Sequence, residues 1–362
     1  MLVSKMCLTG GPCAGKTTAL SKIEKELTDL GYKVFIIDEV ATRLINAGIK
    51  PFGNDSINML EFEDIVLKEQ LMEEKCYEKV ARLLDKKCVI ICDRGIFDIA
   101  SFIDQKEFDY LLRKYNLSKL KYMDNYDLVI HMNTAAKGAL EFYTNENNKA
   151  RSEDITGAIK RDDKCQESWS FHSNFKIIDN NTDFETKVKK VIDTIKDYFK
   201  IKTKWQKKYL IKITDDTLNN IRNKEIVDVE IKQTYLKTNS DYEMRLRKRM
   251  LDNDSTYFVT VKKNNGYNQK IITEEKIDKK TYERLLIQKE VINEINKKRI
   301  SFIYNDKIYK LDIFENGMCI LETDNDSIVP PFINVIEDVT LNEDYFNINI
   351  EGDKHYAYQK RR

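Results

Sequence analysis

The run GGPCAGKTT, Gly10 to Thr18, sets small residues around one lysine and two threonines in the spacing G-x-x-x-x-G-K-T. Glycines let a backbone curl until successive N–H groups face one point, and a helix opening at Lys16 adds the positive end of its dipole. That chemistry captures phosphate. The backbone of Gly10, Gly11, Pro12, Cys13, Ala14 and Gly15 is expected to cradle phosphate oxygens. Lys16 is expected to reach the β and γ phosphates, Thr18 to line the helix start, and the Thr17 hydroxyl to bind Mg²⁺. The expected ligand is ATP or GTP with Mg²⁺.

Three further positions could join that chemistry. The apolar run CVIIC ends in Asp93, followed by Arg94 and Gly95. A carboxylate there holds the magnesium or its water, although aspartate is also a favoured helix cap. The run Val34–Ile37 ends in Asp38 and Glu39. One of these acids, Glu39 in preference to Asp38, suits the base that accepts a hydroxyl proton, with solvated strand-end acids as the alternative. Arg151, in the polar stretch NENNKARSED, suits a lid arginine that neutralises developing charge, or else a solvated loop residue.

The second half carries charge at a period of two. Arg245, Arg247 and Arg249 alternate with Met244, Leu246 and Lys248; Asp228, Glu230 and Lys232 share a face; so do Phe258, Thr260 and Lys262, and Ile320, Glu322 and Asp324. If such strands close into a barrel with charge inward, Glu230, Glu322 and Asp324 would hold Mg²⁺ or Mn²⁺. Lys232, Arg245, Arg247, Arg249 and Lys262 would then grip phosphate oxygens. The bland alternative is the wet face of an antiparallel sheet.

The elements that position these residues fall into two classes. Val3–Leu8, a glycine loop, a helix Lys16–Leu30 and a strand Val34–Ile37 make a βαβ pattern, continued by a helix Phe62–Leu84, strands Cys88–Cys92 and Asp127–Met132, and a helix Phe184–Phe199. This predicts a doubly wound α/β domain with a parallel sheet and ligands at its strands' carboxyl ends. The lysine-rich segment after residue 200 marks a boundary, giving domains 1–202 and 203–362. Period-two alternation beyond it predicts an antiparallel β-barrel domain of α+β type.

Composition bounds the rest. The 362 residues exceed one usual core, at a prior of roughly 100–200 residues per domain. A net charge of +1 gives no global attraction to nucleic acid, and the short basic strand and the tail Lys360–Arg362 form no stripe with stacking aromatics. No nucleic-acid partner is expected; peripheral membrane contact through the tail stays open. Seven cysteines without a CxxC pair, no secretory signal pattern and no long apolar run predict a cytoplasmic protein with reduced thiols.

The segments GGPCAGKTT, DEVATRLI, CDRGIFD, FYTNENNKARSE and FKIIDNNTDFETK resemble the P-loop domain of a family that joins it to a CYTH domain. That P-loop domain is in turn similar to ribosylnicotinamide kinases and, more remotely, deoxynucleoside kinases. The resemblance spans about residues 3–190 and implies site roles for Gly10, Gly15, Lys16, Thr17, Glu39, Asp93, Arg94 and Arg151. VEIKQTYL, EMRLRKR, YFVTVKK, LDIFENGMCILETD and VIEDVTLNEDYFN resemble the CYTH, or triphosphate tunnel, family over about residues 206–350. That likeness implies an eight-stranded tunnel that binds or cleaves polyphosphates with a divalent metal. Its ExExK signature maps either to Glu230, Lys232 and Thr234 or to Asp228, Glu230 and Lys232.

Three functions follow as expectations. The first is a P-loop NTPase or small-molecule kinase. A second is a nucleotide-regulated binder of a polyphosphorylated small molecule or phosphoinositide head group, and a third is a metal-dependent triphosphatase acting through the tunnel.

Overall fold

In the computed structural model the described residues are 3–142, 154–200, 206–222, 227–238, 242–264, 270–324 and 327–350. The chain divides into two compact units, Met1–Lys196 and Asp197–Arg362.

In the first unit, β1 (Val3–Thr9), β2 (Lys33–Ile37), β3 (Cys88–Asp93), β4 (Leu128–Met132) and β5 (Phe175–Ile178) form a parallel sheet in the order β2-β3-β1-β4-β5. The helices are α1 (Lys16–Asp29), α2 (Val40–Asn46), α3 (Met59–Leu83), α4 (Gln105–Lys114), α5 (Lys119–Met123), α6 (Ile155–Trp169) and α7 (Phe184–Lys200). A short 3₁₀ turn occupies Ile96–Ser101. Every residue of β3 and β4 is buried, as strands covered on both faces must be. Helix α3 begins a turn before its apolar run because the Asn58 side chain caps it, accepting from Glu61 N at 2.9 Å.

The strand order takes the β1-to-β2 connection past β3 and the β3-to-β4 connection past β1. A crevice therefore opens at the carboxyl ends of β1 and β3. Helices α1 and α7 are joined by the ion pairs Lys22–Glu185 and Lys196–Glu26. Against the other face, Lys5 of β1 reaches Glu74 and Glu78 of α3 at 2.8 and 2.7 Å.

The second unit is antiparallel. Its strands are β6 (Gln206–Lys212), β7 (Asp228–Leu236), β8 (Tyr242–Leu251), β9 (Asp254–Asn264), β10 (Lys270–Ile277), β11 (Val291–Tyr304), β12 (Lys307–Phe314), β13 (Cys319–Asp324) and β14 (Asn334–Asp338). They run in the order β10-β9-β8-β7-β11-β12-β13-β6-β14. Among the described residues β10 and β14 do not pair with each other. The β11–β12 hairpin turns on Asn305 and Asp306, both at positive φ, as a two-residue turn of the primed type requires.

One face of this sheet is apolar and covered by helices. Helix α8 (Asp215–Arg222) places Ile221 among Ile211, Phe302, Tyr309, Leu311 and Leu321, and α9 (Lys279–Gln288) places Tyr282 against Leu236 and Leu246. The opposite face carries the charge. The chain's seven cysteines are unbridged, and no helix among the described residues is long and apolar enough to cross a membrane.

The Lys5–Glu74 pair is nearly inaccessible, and Glu74 also accepts from Gln70 Nε2 at 2.8 Å and from the Tyr126 hydroxyl. Burial opposes the lysine's charge, but the two carboxylates outweigh it and raise its pKa. Removing one partner strands the other charge in the core. Lys5→Met is expected to cost about 3 kcal/mol or more of stability, read by urea denaturation followed by far-UV circular dichroism. A midpoint equal to wild type would refute the assignment.

Candidate active site

The loop from Gly10 to Thr18 is held by its carbonyls. Pro12 O accepts from the Thr134 hydroxyl, Cys13 O from Ala135 N at 3.3 Å, and Ala14 O from Lys187 Nζ at 3.1 Å. In a trans peptide the following N–H points the opposite way, so the N–H groups of residues 13, 14 and 15 turn together toward one side. That is an anion nest.

Helix α1 continues it. Gly15, at φ +85°, is its N-cap and supplies no side-chain cap, whereas α3, α4, α5 and α6 are capped by Asn58, Asp104, Ser118 and Asp154. The first-turn N–H groups of α1 therefore remain for an anion. A side chain at Gly15 would also meet the Phe184 ring.

The opposite side of the loop rests on Asp162 of α6. Its Oδ1 accepts from Gly11 N at 2.8 Å and Thr134 N at 3.0 Å and lies 3.0 Å from His131 Nε2. Its Oδ2 accepts from Lys137 Nζ at 3.0 Å and Gln166 Nε2 at 3.3 Å. Burial would push this carboxyl up, but His131, Lys137 and these hydrogen bonds hold it far below the carboxylate range. The approach is close enough that a Cβ at Gly11 would stand 2.7 Å from Asp162 Oδ1, so glycine is required there. Sequence reading missed Asp162. No local spacing links it to the loop 151 residues away.

Lys16 is buried at the start of α1, while Thr17 and Thr18 are exposed beside it. Among the described residues no hydrogen bond or ion pair engages the Lys16 ammonium. At the end of β3, Asp93 is 5% exposed and its Oδ1 is buried without a hydrogen-bond partner. Burial raises the Asp93 carboxyl to about 6, against the lowering influence of Lys16. A partnerless buried carboxylate oxygen beside a phosphate nest suits a hydrated cation, with the Thr17 hydroxyl as the second protein oxygen. No group of three metal-ligating side chains occurs among the described residues. Such a cation would therefore depend on phosphate and water for its other ligands.

Glu39, N-cap of α2, turns inward, whereas Asp38 is exposed. Its carboxylate accepts from Arg94 Nε at 2.5 Å and from the Thr42 hydroxyl at 2.9 Å. Burial alone would raise its pKa; Arg94 and Lys16 outweigh burial and bring it to about 2. Arg94 sits at φ +69°, a left-handed conformation that sends its guanidinium from the strand end to Glu39 and to Asp98 Oδ1 at 3.3 Å. A non-glycine residue there stores roughly 1–2 kcal/mol of strain. Asp98 also accepts from the Thr9 hydroxyl, Gly95 N at 2.9 Å and Trp169 Nε1 at 3.2 Å, anchoring the turn after β3. Arg151 lies outside the described residues.

A sequence profile of the AAA domain family matches residues 5–187. The chain belongs to that family. Its AAA unit is thus a P-loop nucleotide-binding domain, in agreement with the nest at Gly10–Thr18. No curated protein matches the chain. Among solved structures, it is similar to the PH1819 protein from Pyrococcus horikoshii OT3 at 20% identity and a TM-score of 0.27, covering 33% of this chain and 77% of that one. It is similar to the PH1012 protein from the same organism at 18% identity and a TM-score of 0.25, over 34% and 80% of the two chains. A conserved hypothetical protein from Pyrococcus furiosus gives 18% identity, a TM-score of 0.26, and 34% and 81% coverage. Likenesses of that size carry no functional argument.

In the second unit the register separates residues that the sequence pattern had grouped. Tyr235, Gln233 and Ile231 of β7 stand opposite Arg245, Arg247 and Arg249 of β8, so these six share the charged face. Lys262 joins that face through Glu243, to which it donates at 2.5 Å. Glu230 and Lys232 point the other way: Glu230 is exposed and Lys232 pairs with Glu294 at 2.7 Å. Glu322 is on the charged face but bound to Arg299 at 2.8 Å and near Lys208 at 3.5 Å. By register Asp324 follows on the same side. The expected trio Glu230, Glu322 and Asp324 is therefore not assembled, because one step in strand parity reverses a side chain's face.

Glu274, Lys297, Arg299 and Asp312, not singled out from sequence, complete this face. Glu274 accepts from Arg247 at 2.8 Å, and Asp312 accepts from Lys297 and Arg299, each at 2.6 Å. Arg247, Arg249, Lys297, Asp312 and Glu322 are all buried, although α8 and α9 pack on the other side.

The Glu39–Arg94 contact fixes a pH dependence. A carboxyl depressed from 4.5 to about 2 contributes stability that is complete above the unfolded value and is lost as pH falls toward 2. Glu39→Gln should thus cost at most about 3 kcal/mol at pH 7. The gap to wild type should narrow between pH 4.5 and 2 in denaturant titrations. A gap that stays constant across that window would show that the pair is not linked to folding.

Proposed function

We propose that the AAA unit transfers the γ-phosphoryl group of a nucleoside triphosphate, ATP or GTP, to a hydroxyl of a small acceptor. The observation that carries this reading is the partnerless Asp93 carboxylate beside Lys16, with the Glu39–Arg94 pair at the neighbouring strand end.

The nest at residues 13–15 and the α1 terminus bind the β and γ phosphates, and Lys16 spans them. Thr17 and Asp93 would hold Mg²⁺, which when bound supplies positive charge against the phosphate oxygens. The acceptor oxygen forms a bond to the γ phosphorus as the bond to the bridging oxygen breaks, and that electron pair leaves with the diphosphate. The hydroxyl proton passes to Glu39. With a pKa near 2, Glu39 is a weak base, so its main work is to orient the hydroxyl and receive the proton late, in keeping with a loose transition state. Arg94, paired with Glu39 and Asp98, would supply the positive charge that the transferring group needs. Arg151 fits the lid role if its segment closes on the phosphates.

Lys16→Ala is expected to weaken Mg·ATP and Mg·GTP binding by about a hundredfold or more in calorimetry and to abolish transfer of labelled γ-phosphate. Retention of wild-type affinity in this variant would sink the nucleotide reading.

A second reading concerns the unit from Asp197 onward, as a tunnel-like site for a polyphosphorylated small molecule or phosphoinositide head group. It is favoured by the Arg245 Nε atom, buried without a partner on a face that also carries Arg247, Arg249 and Lys262. Buried guanidinium donors left open suit phosphate oxygens. Hydrolysis is the weaker alternative, since Glu230 faces away and Glu322 is already paired. Inorganic tripolyphosphate should bind in the presence of EDTA and lose about tenfold or more in affinity in Arg245→Ala. Binding that requires Mg²⁺ or Mn²⁺ and releases phosphate would favour the triphosphatase instead.

A further inference from the structure

Helix α3 carries a polar stripe on its buried face. Glu63, Gln70 and Glu74 are spaced i, i+7 and i+11, within about 20° of one line on a helix, and all three are buried. Gln70 and Glu74 bond to each other, and Glu74 to Lys5 and the Tyr126 hydroxyl. Glu63 has the same burial, 3% exposed, and among the described residues no hydrogen bond or ion pair engages it.

The helix runs back from the strands' carboxyl ends, so Glu63, in its second turn, sits at the crevice end, while Glu74 lies deeper against Lys5 of β1. The charged groups that act on Glu63 are Arg94, Arg161, Glu39 and Asp98, the groups of the crevice itself. Burial lifts its carboxyl to about 8 despite the two arginines. Those arginines are engaged elsewhere: Arg94 with Glu39 and Asp98, and Arg161 with Ser101 O at 2.7 Å and the Phe102 ring at 4.3 Å. A carboxyl to which no donor of the described chain is bonded is open to one that a ligand supplies.

Resting on the phosphotransferase reading, we propose that Glu63 is the acceptor-recognition residue. It takes a small acceptor carrying a second hydrogen-bond donor, hydroxyl or amino, beside the hydroxyl that receives the phosphoryl group. In either protonation state a carboxyl keeps an oxygen that accepts a hydrogen bond, so it can take the second hydroxyl or amino donor of such an acceptor. A plain monoalcohol has no second donor to offer this carboxyl, which is how such a site discriminates.

The test uses full-length wild type, Glu63→Gln and Glu63→Met, each loaded with Mg²⁺ and the β,γ-imido analogue of ATP or GTP. Each is titrated calorimetrically with polyols (ribose, myo-inositol, the four ribonucleosides), amino alcohols (ethanolamine, serinol) and matched monoalcohols (cyclohexanol, 1-propanol). At least one polyol or amino alcohol should bind wild type and outbind its monoalcohol. Its affinity should fall about tenfold or more in Glu63→Gln and further in Glu63→Met. The two arms tell hydroxyl from amino recognition. Without ligands Glu63→Met should melt no lower than wild type, since a residue placed for a ligand is not needed for folding; a purely structural Glu63 would lower it. The proposal is overturned if both variants bind the probe as wild type does, if monoalcohols bind as well, or if wild type binds no member of the panel. Failure of the parent reading looks different: the nucleotide analogue does not bind, or a bound acceptor is never labelled from γ-labelled nucleotide.

Discussion

The phosphate loop depends on one buried carboxylate. Asp162 takes Gly11 N, Thr134 N and His131 on one oxygen and Lys137 and Gln166 on the other, tying the loop, the end of β4 and α6 to a single point. A negative charge beneath a phosphate site opposes anion binding unless it is neutralised, and Lys137, 3.0 Å from Asp162, does that. What remains is orientation. With the carbonyls of residues 12–14 tied back, the loop's N–H groups are turned to one side before any ligand arrives, and a preorganised site avoids the ordering cost at binding.

The crevice shows how one environment yields three different acids. Burial acts on Glu39, Asp93 and Glu63 in the same upward direction, and the difference lies in what stands opposite. Glu39 has a guanidinium in direct contact and stays ionised near 2. Asp93 has Lys16 as its leading counter-charge but no hydrogen bond at Oδ1, and rests near 6. Glu63 has neither contact and rises to about 8. The separation follows from the counter-charge and hydrogen bonds each carboxyl meets, not from the depth at which it is buried.

The antiparallel unit inverts the usual arrangement of a sheet with one wet face. Its apolar face is covered by α8 and α9, and its charged face is buried nonetheless. Charges kept from water need partners, and Glu274, Asp312 and Glu322 provide them for Arg247, Lys297 and Arg299. On the same face the apolar side chains Ile295, Phe314 and Ile320 pack with Ile350 and Tyr345, so apolar and charged side chains share it. The Arg245 Nε donor is buried there without a partner.

The sequence by itself determined what depends on neighbours along the chain. Spacing in GGPCAGKTT specified the nest, because a turn and a helix start are local events. Fully apolar runs specified parallel strands, and alternation placed Arg245, Arg247 and Arg249 on one face. The tertiary structure alone decided what depends on register and on distant contacts. It put Glu39 rather than Asp38 on Arg94, and turned Glu230 and Lys232 away from the arginines. It also brought Asp162 under Gly11 from 151 residues away and, among the described residues, gave Glu63 none of the partners that its stripe-mate Glu74 has. The physical reason is the same in each case: a side chain's face follows from strand parity, and its charge state from whatever counter-charge the fold brings opposite, and neither is written in local spacing.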